Sequence, residues 1–466
     1  MRKRKGIFAG LTAAALFLSS GCAGTERFLI NQTDSPENEY ELAQAIYPEM
    51  APYPEETKFI DEKTGEWMEE EYSAAYDAWR GEKRDVMDLP EANGKVLEGF
   101  SKRSIRQFLL DSSGENQVYS PVNVYLALAM MAEITEGESR QQILNLLETD
   151  SIETLRTHGE NIWKLCYSND GAVTSILANA LWLREGMNYH QDTLDLLARC
   201  YYASSYQGEM GTEGYDQALQ SWLNEQTGGL LKEQAQGIKL SPESVMALAS
   251  TLYYRAKWQN EFAQEDTEEG IFYGPDGEIH CPFMNSSYFS HYYWDEEFAA
   301  AALGLNESGQ MWLILPDEEV TVDEILRKEA VFDLINSSET WENTSYLRVN
   351  LSLPRFDAAS EISLAEGLKA LGVQDIFDGE KADFSPLADS SDGVYLSQAQ
   401  HASRVKVDEK GVEAASYTVM TVSGAAMPPE EEVDFVLNRP FFFVITSRTG
   451  LPLFAGIVNQ PGNEVS

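Results

Sequence analysis

The feature that most constrains this chain is a strand-like run near its C-terminus with no strand beside it in sequence to pair with. No proline occurs from Gly411 to Met427; Pro428, Pro429 and the glutamates Glu430 to Glu432 then end the run. Val412 to Val422 is mostly small or β-branched and carries few charges, which is strand composition. Alternation sets Val412, Ala414, Ser416, Thr418, Met420 and Val422 on one face and Glu413, Ala415, Tyr417, Val419 and Thr421 on the other. The first face is small or apolar and fit for burial. Glu413 and Tyr417, the residues hardest to bury, share the second.

The rest of the chain supplies ample core. Its 466 residues suffice for one large domain or two ordinary ones, and an apolar fraction of 43% excludes general disorder. With 76 acidic and 34 basic side chains the formal charge is −42. That excludes a nucleic-acid binder that tracks phosphates, because nothing offsets repulsion from a polyanion. The simplest reading of the charge is solubility in a harsh extracellular medium.

Arg2, Lys3, Arg4 and Lys5 precede an apolar run from Gly6 to Leu18 that ends in Ser19-Ser20-Gly21-Cys22. A basic start, an apolar stretch too short for a comfortable membrane span and small residues mark residues 1–21 as a secretory signal. Cys22 directly after Gly21 resembles a bacterial lipobox, in which that cysteine is acylated and becomes the new N-terminus; Ser19 departs from the motif, which prefers leucine there. The expected location is therefore extracellular, at the cell envelope, with a lipid anchor at Cys22. Cys166, Cys200 and Cys281 are odd in number and widely spaced. They fit neither a disulfide framework nor a metal site, and read as buried, inert thiols.

Residues 22–92 read as an acidic extension. Residues 23–88 hold 18 acidic against six basic side chains, and Pro48, Pro52 and Pro54 interrupt them. Glu66 to Trp79 carries Trp67, Tyr72, Tyr76 and Trp79 near helical spacing and is expected to be one amphipathic helix packed on the main domain. The extension as a whole is expected to serve as a stalk or spacer from the membrane.

From residue 93 the pattern is mixed α and β. Val96 to Leu110, Val122 to Ile134 and Glu138 to Leu147 read as helices, the second announced by Ser120-Pro121. Ser175 to Trp182, Val245 to Tyr254, Met311 to Leu315, Tyr346 to Leu353 and Phe441 to Thr446 read as strands. Helices collect early and strands late, which predicts an α+β fold with large mixed sheets. Catalytic motifs are missing: no GxSxG, HExxH, P-loop or GxGxxG occurs, and His158, His190, His280, His291 and His401 show no metal-like pairing.

The stretch Glu409-Lys410-Gly411-Val412-Glu413-Ala414-Ala415, followed by Ser416, resembles the hinge of the reactive-centre loop of serpins. Asn438-Arg439-Pro440-Phe441 and Pro452 to Pro461 resemble that family's C-terminal signature. Further matches run back in family order and spacing over about residues 93–463: Val118-Tyr119-Ser120-Pro121, Leu177 to Trp182, Asn224 with Thr227-Gly228, Ala256-Lys257-Trp258 with Phe262, Leu351 to Phe356, and Lys381 to Ser385.

The resemblance implies a serpin-like α+β domain over 93–466, with helices packed around large mixed β-sheets and an exposed reactive-centre loop. It implies no enzyme, cofactor or metal, but a monomeric suicide-substrate inhibitor of serine proteases. The protease cuts the loop, forms an acyl-enzyme and is trapped covalently as the loop inserts into the central sheet. Counting from Gly411 places the bond at Ala425–Ala426, and counting back from Asn438 moves it one residue, so Gly424 to Met427 bracket it. A small residue before the cut points to elastase-like or subtilisin-like targets. Ser120, Asn123, Asn179 and His401 resemble the shutter where the sheet parts, and Trp258, Arg355 and Glu409 the breach where insertion begins. Val412 stands where threonine or serine is usual, and Tyr417 is bulky where small residues are common, which predicts slowed insertion. The competing expectation is a non-inhibitory serpin-like binding or scaffold protein at the cell surface.

Overall fold

The computed structural model describes residues 35–462, apart from 62, 91–93, 113, 231, 390–392 and 413–430. The candidate residues Cys22, Glu413 to Ser416 and Gly424 to Met427 therefore lie outside the described residues. In chain order the strands are β1 (Glu41–Ala43), β2 (Gln117–Tyr119), β3 (Ser168–Asn169), β4 (Thr174–Arg184), β5 (Ala203–Gly208), β6 (Met246–Lys257), β7 (Thr267–Gly274), β8 (Gly277–Trp294) and β9 (Phe298–Gly304). They continue as β10 (Gln310–Pro316), β11 (Thr344–Pro354), β12 (Phe356–Ser363), β13 (Gln400–Asp408), β14 (Gly411–Val412), β15 (Glu432–Val436), β16 (Phe441–Thr446) and β17 (Pro452–Val458). The main helices are α1 (Glu69–Met87), α2 (Glu98–Leu109), α3 (Pro121–Glu133), α4 (Gly137–Leu146), α5 (Ile152–Cys166), α6 (Gln191–Cys200) and α7 (Glu213–Gln226).

Among the described residues the strands form two mixed sheets. The first runs β1-β5-β4-β6-β14-β13-β12 and the second β15-β11-β8-β9-β10-β16-β17-β2. The chain is thus α+β as expected, but its helices are not gathered at the start: β4, β5 and β6 alternate with α5, α6 and α7.

Helix α3 shows why the core sits where it does. Pro121 fills the first helical turn, where its missing N–H leaves nothing unsatisfied, and the Ser120 hydroxyl caps the helix by accepting from the Asn123 N–H. Every residue from Pro121 to Glu133 is buried, so the helix runs through the core rather than over it. The apolar β17 and the run Phe441 to Ile445 of β16 form part of the same core. Strand β4 is buried at every position but its last. One of its faces meets the main core, while Ala178, Ala180 and Trp182 on the other pack beneath Leu219, Trp222 and Leu223 of α7.

The described part of the extension packs on the body of the protein. Strand β1 adds antiparallel to β5 at the edge of the first sheet, and the Ala45 N–H donates to Ser204 Oγ at 3.1 Å. Tyr47 stacks near Trp163, Tyr167 and Tyr202. The expected helix is α1, displaced towards the C-terminus, and only its Trp79 is buried. The Trp79 indole N–H donates to Asp170 Oδ2 at 2.9 Å, and Lys83 Nζ lies 2.9 Å from the same oxygen. Burial pushes the Asp170 carboxyl up, but the charge and hydrogen bond of Lys83 outweigh it and hold the group below the usual range. Residues 35–88 pack in this way because their aromatic and small residues have a sheet edge and a helix face to cover, while most of their carboxylates stay exposed.

Candidate functional site

The site lies where the first sheet is incomplete. Strands β6 and β13 run parallel, and β14 is wedged between them, antiparallel to both. Gly411 pairs with Lys257 and Asp408, and Val412 with Ala256 and Val407. Glycine is required by close approach: a Cβ at position 411 would lie 2.2 Å from the Ala256 carbonyl oxygen. Val412 is buried in the main core, on the face that alternation assigned to it. At the other end of the gap Leu248 of β6 bridges directly to Ala399, beside the start of β13.

The base of this wedge is held by the three residues assigned to the breach. Arg355 Nε donates to Glu409 Oε1 at 2.7 Å, its Nη2 donates to the same oxygen, and Thr267 Oγ1 donates at 2.7 Å. Burial raises the Glu409 carboxyl, but these hydrogen bonds outweigh it and keep the group ionised below the usual range. The Trp258 indole N–H donates to the Asp408 carbonyl at 2.8 Å, and its backbone N–H to the Lys410 carbonyl at 3.0 Å. Both ends of the turn that delivers Gly411 are thereby fixed.

The shutter residues also come together, below the wedge. His401 Nε2 accepts from the Ser120 backbone N–H at 3.0 Å and lies 2.8 Å from Ser403 Oγ. An accepting Nε2 places the ring proton on Nδ1. Asn123 and Asn179 meet through a residue that sequence reasoning missed: Ser250 Oγ lies 2.7 Å from Asn123 Oδ1 and 2.6 Å from Asn179 Oδ1. One hydroxyl carries one proton, so one amide must donate in return. Turning the Asn123 amide satisfies this and gives a partner to its otherwise unpartnered Nδ2. The signal for Ser250 was present, since it is the one polar residue between Leu248 and Leu252 on the core-facing positions of β6. Thr267 carried no comparable signal, because it is brought to Glu409 only by folding.

With this geometry in hand, the relationships of the chain follow. The protein-family model for Serpin (serine protease inhibitor) matches residues 96–461, and the chain belongs to the serpin family. It is 27% identical over 371 residues to Serpin B11 of Mus musculus, covering 75% of this chain and 94% of that protein. Human neuroserpin is 26% identical over 369 residues, with coverage of 74% and 86%. The native-state crystal structure of tengpin, a thermophilic serpin, superposes with a TM-score of 0.71 at 27% identity, covering 80% of this chain and 95% of that one. The chain is accordingly a protease-inhibitor-type protein and not an enzyme.

Full burial holds the His401 imidazole down at about 4. The folded protein keeps it neutral, whereas the unfolded chain takes up a proton near pH 6.5. Its contribution to stability is therefore intact above pH 6.5 and is lost as pH falls from there towards 4, a span worth about 3 kcal/mol. Urea midpoints measured between pH 7 and 5 should fall for the wild type and stay flatter for His401→Gln. Equal slopes for the two proteins would contradict the assignment.

Proposed function

We propose that the protein is a suicide-substrate inhibitor of elastase-like or subtilisin-like serine proteases, held at the cell envelope by acylation of Cys22 after removal of residues 1–21. The observation that carries this reading is the two-residue wedge, in which Gly411 and Val412 already occupy the ladder between β6 and β13. Attack of the protease serine on the carbonyl of Ala425 forms an ester and releases Ala426 as a new amino terminus. The segment attached to Val412 is then free to continue the wedge.

The register supports that continuation residue by residue. Carried forward from Val412, Ala414 falls between Tyr254 and Val405, Ser416 between Leu252 and Ser403, and Thr418 between Ser250 and His401. The Thr418 hydroxyl thus arrives at the shutter cluster, where hydrogen-bonding groups stand ready to receive it. On the opposite face Glu413 falls between Arg255 and Lys406, two cations. Tyr417 falls between Thr251 and Ala402, which line a cavity of about 50 Å³ beneath Leu219 and Leu223 of α7. Glu413, one of the two residues hardest to bury, therefore meets groups suited to it, which favours an inhibitor over a non-inhibitory relative, whereas Tyr417 needs more room than that cavity holds.

Mixing the protein with an elastase should yield a complex that survives SDS, whereas trypsin should be inhibited poorly and not trapped, for want of Lys or Arg before the cut. Stoichiometric trapping of trypsin with elastase spared would overturn the specificity. Release of every tested protease without a complex would overturn inhibition. Intact mass of the membrane-extracted protein should show an acylated chain starting at Cys22; an unmodified Cys22 would remove the anchor.

A further inference from the structure

The first described turn of the extension buries a carboxylic acid against another carboxylic acid. Pro36–Tyr40 form a short 3-10 turn, just ahead of β1, that packs on α7 and β5. Its Glu37 is only 4% exposed, and Glu37 Oε2 has no hydrogen-bond partner among the described residues. The group that faces it is Glu225, next to last in α7. Ser35 Oγ lies 3.0 Å from both Glu225 carboxylate oxygens, and Ser221 Oγ donates to Glu225 Oε1 at 3.4 Å. The Glu225 side of the pair is thus supplied with donors, and Glu37 Oε2 is not.

The surroundings hold no basic side chain to neutralise the pair. Residues 35–47, β5 and α7 contain no Lys, Arg or His. The other titratable groups gathered here are Glu39 on the turn itself, Glu41 of β1, and Tyr206 of β5, whose phenol burial keeps neutral. Tyr40 packs its ring 4.9 Å from that of Tyr215. Two carboxylates held together away from water do not both stay ionised; one shared proton turns their repulsion into a hydrogen bond. Burial first, with the charge and hydrogen bond of Glu225 added, pushes the Glu37 carboxyl up to about 7 against the pull of its own backbone N–H.

We propose that Glu37 and Glu225 form a proton-operated latch: one shared proton fastens residues 35–43 to β5 and α7, and its loss releases them. The docked segment binds the proton more tightly than the free one, whose Glu37 titrates near 4.5. Docking is therefore strongest below pH 4.5 and weakens as pH rises through 7. Strand β1 pairs with β5 through Glu41 with Tyr206 and Ala43 with Ser205. Beyond it the Ala45–Ser204 hydrogen bond and the stacking of Tyr47 keep their hold, so release stops there. An edge segment held by so few bonds opens before the body unfolds, and the urea transition reports His401 rather than the latch. Release frees about 30 Å of chain. If Cys22 carries the anchor, the body then stands on a longer tether at neutral than at acid pH; that consequence rests on the anchor, and the latch does not.

The test is amide hydrogen exchange of the full chain, read by mass spectrometry of peptides covering residues 36–43 at pH 6 and 8.5 and corrected for the intrinsic pH dependence of exchange. Wild-type protection there should drop about tenfold from pH 6 to 8.5, while α3 stays protected at both. Glu37→Gln and Glu225→Gln each remove one charge from the pair and supply an amide donor, so their protection should be the same at both pH values. The two substitutions lie on different elements, and either suffices if the other folds poorly. Unchanged wild-type protection, or an equal drop in the wild type and both variants, would overturn the latch. Wild-type protection that persists at pH 8.5 and is lost with EGTA would assign the pair to a bound calcium ion, and would overturn the latch as well. None of these results bears on the inhibitor reading.

Discussion

The backbone ladder between β6 and β13 governs the rest of this structure. Two parallel central strands meet at Leu248 and Ala399 but are held apart at their other end by Gly411 and Val412. Main-chain groups in a sheet interior need partners, so a gap between two central strands is a place where one more strand gains hydrogen bonds without losing any to water. In the proposed mechanism the wedge is where that strand would start, and the close approach of Gly411 to the Ala256 carbonyl fixes the depth of the wedge. The Arg355–Glu409 pair and the two hydrogen bonds from Trp258 hold it there.

Beneath the wedge the core is polar where an apolar core would be tighter. Ser120, Asn123, Asn179, Ser250, His401 and Ser403 are brought together from one helix and three strands. Hydrogen bonds among small polar groups can be exchanged for new ones, whereas interdigitated aliphatic side chains cannot part without leaving a void. A polar cluster on the line between two separable strands is consistent with a sheet that must open. The N-terminal extension acts at the opposite edge, where β1 covers β5 and removes an otherwise unpaired strand from solvent.

Much of this was legible before the fold was seen, where a residue's own chemistry declared its place. Alternation along Val412 to Val422 put Val412 inward, and it is inward. Ser120-Pro121 announced a helix start, and the ordered motifs pointed to Trp258, Arg355, Glu409 and His401, which do converge in two clusters. What was not legible depended on distant partners. The pairing of β1 could not be read from the acidic, proline-broken extension, because nothing in its own sequence says that β5 offers an open edge. Ser250 looked like one serine in an apolar strand until two asparagines from elsewhere in the chain met it.

The central claim is that the wedge is the first part of a longer inserted strand. The most direct measurement is the melting temperature of the protein before and after a single cut within Gly424 to Met427, by a protease that does not remain bound. Insertion completes the ladder and fills the gap, so the cut protein should melt well above the intact one. A cut protein that melts at or below the intact temperature would mean that the gap stays open, and would contradict the mechanism at its root.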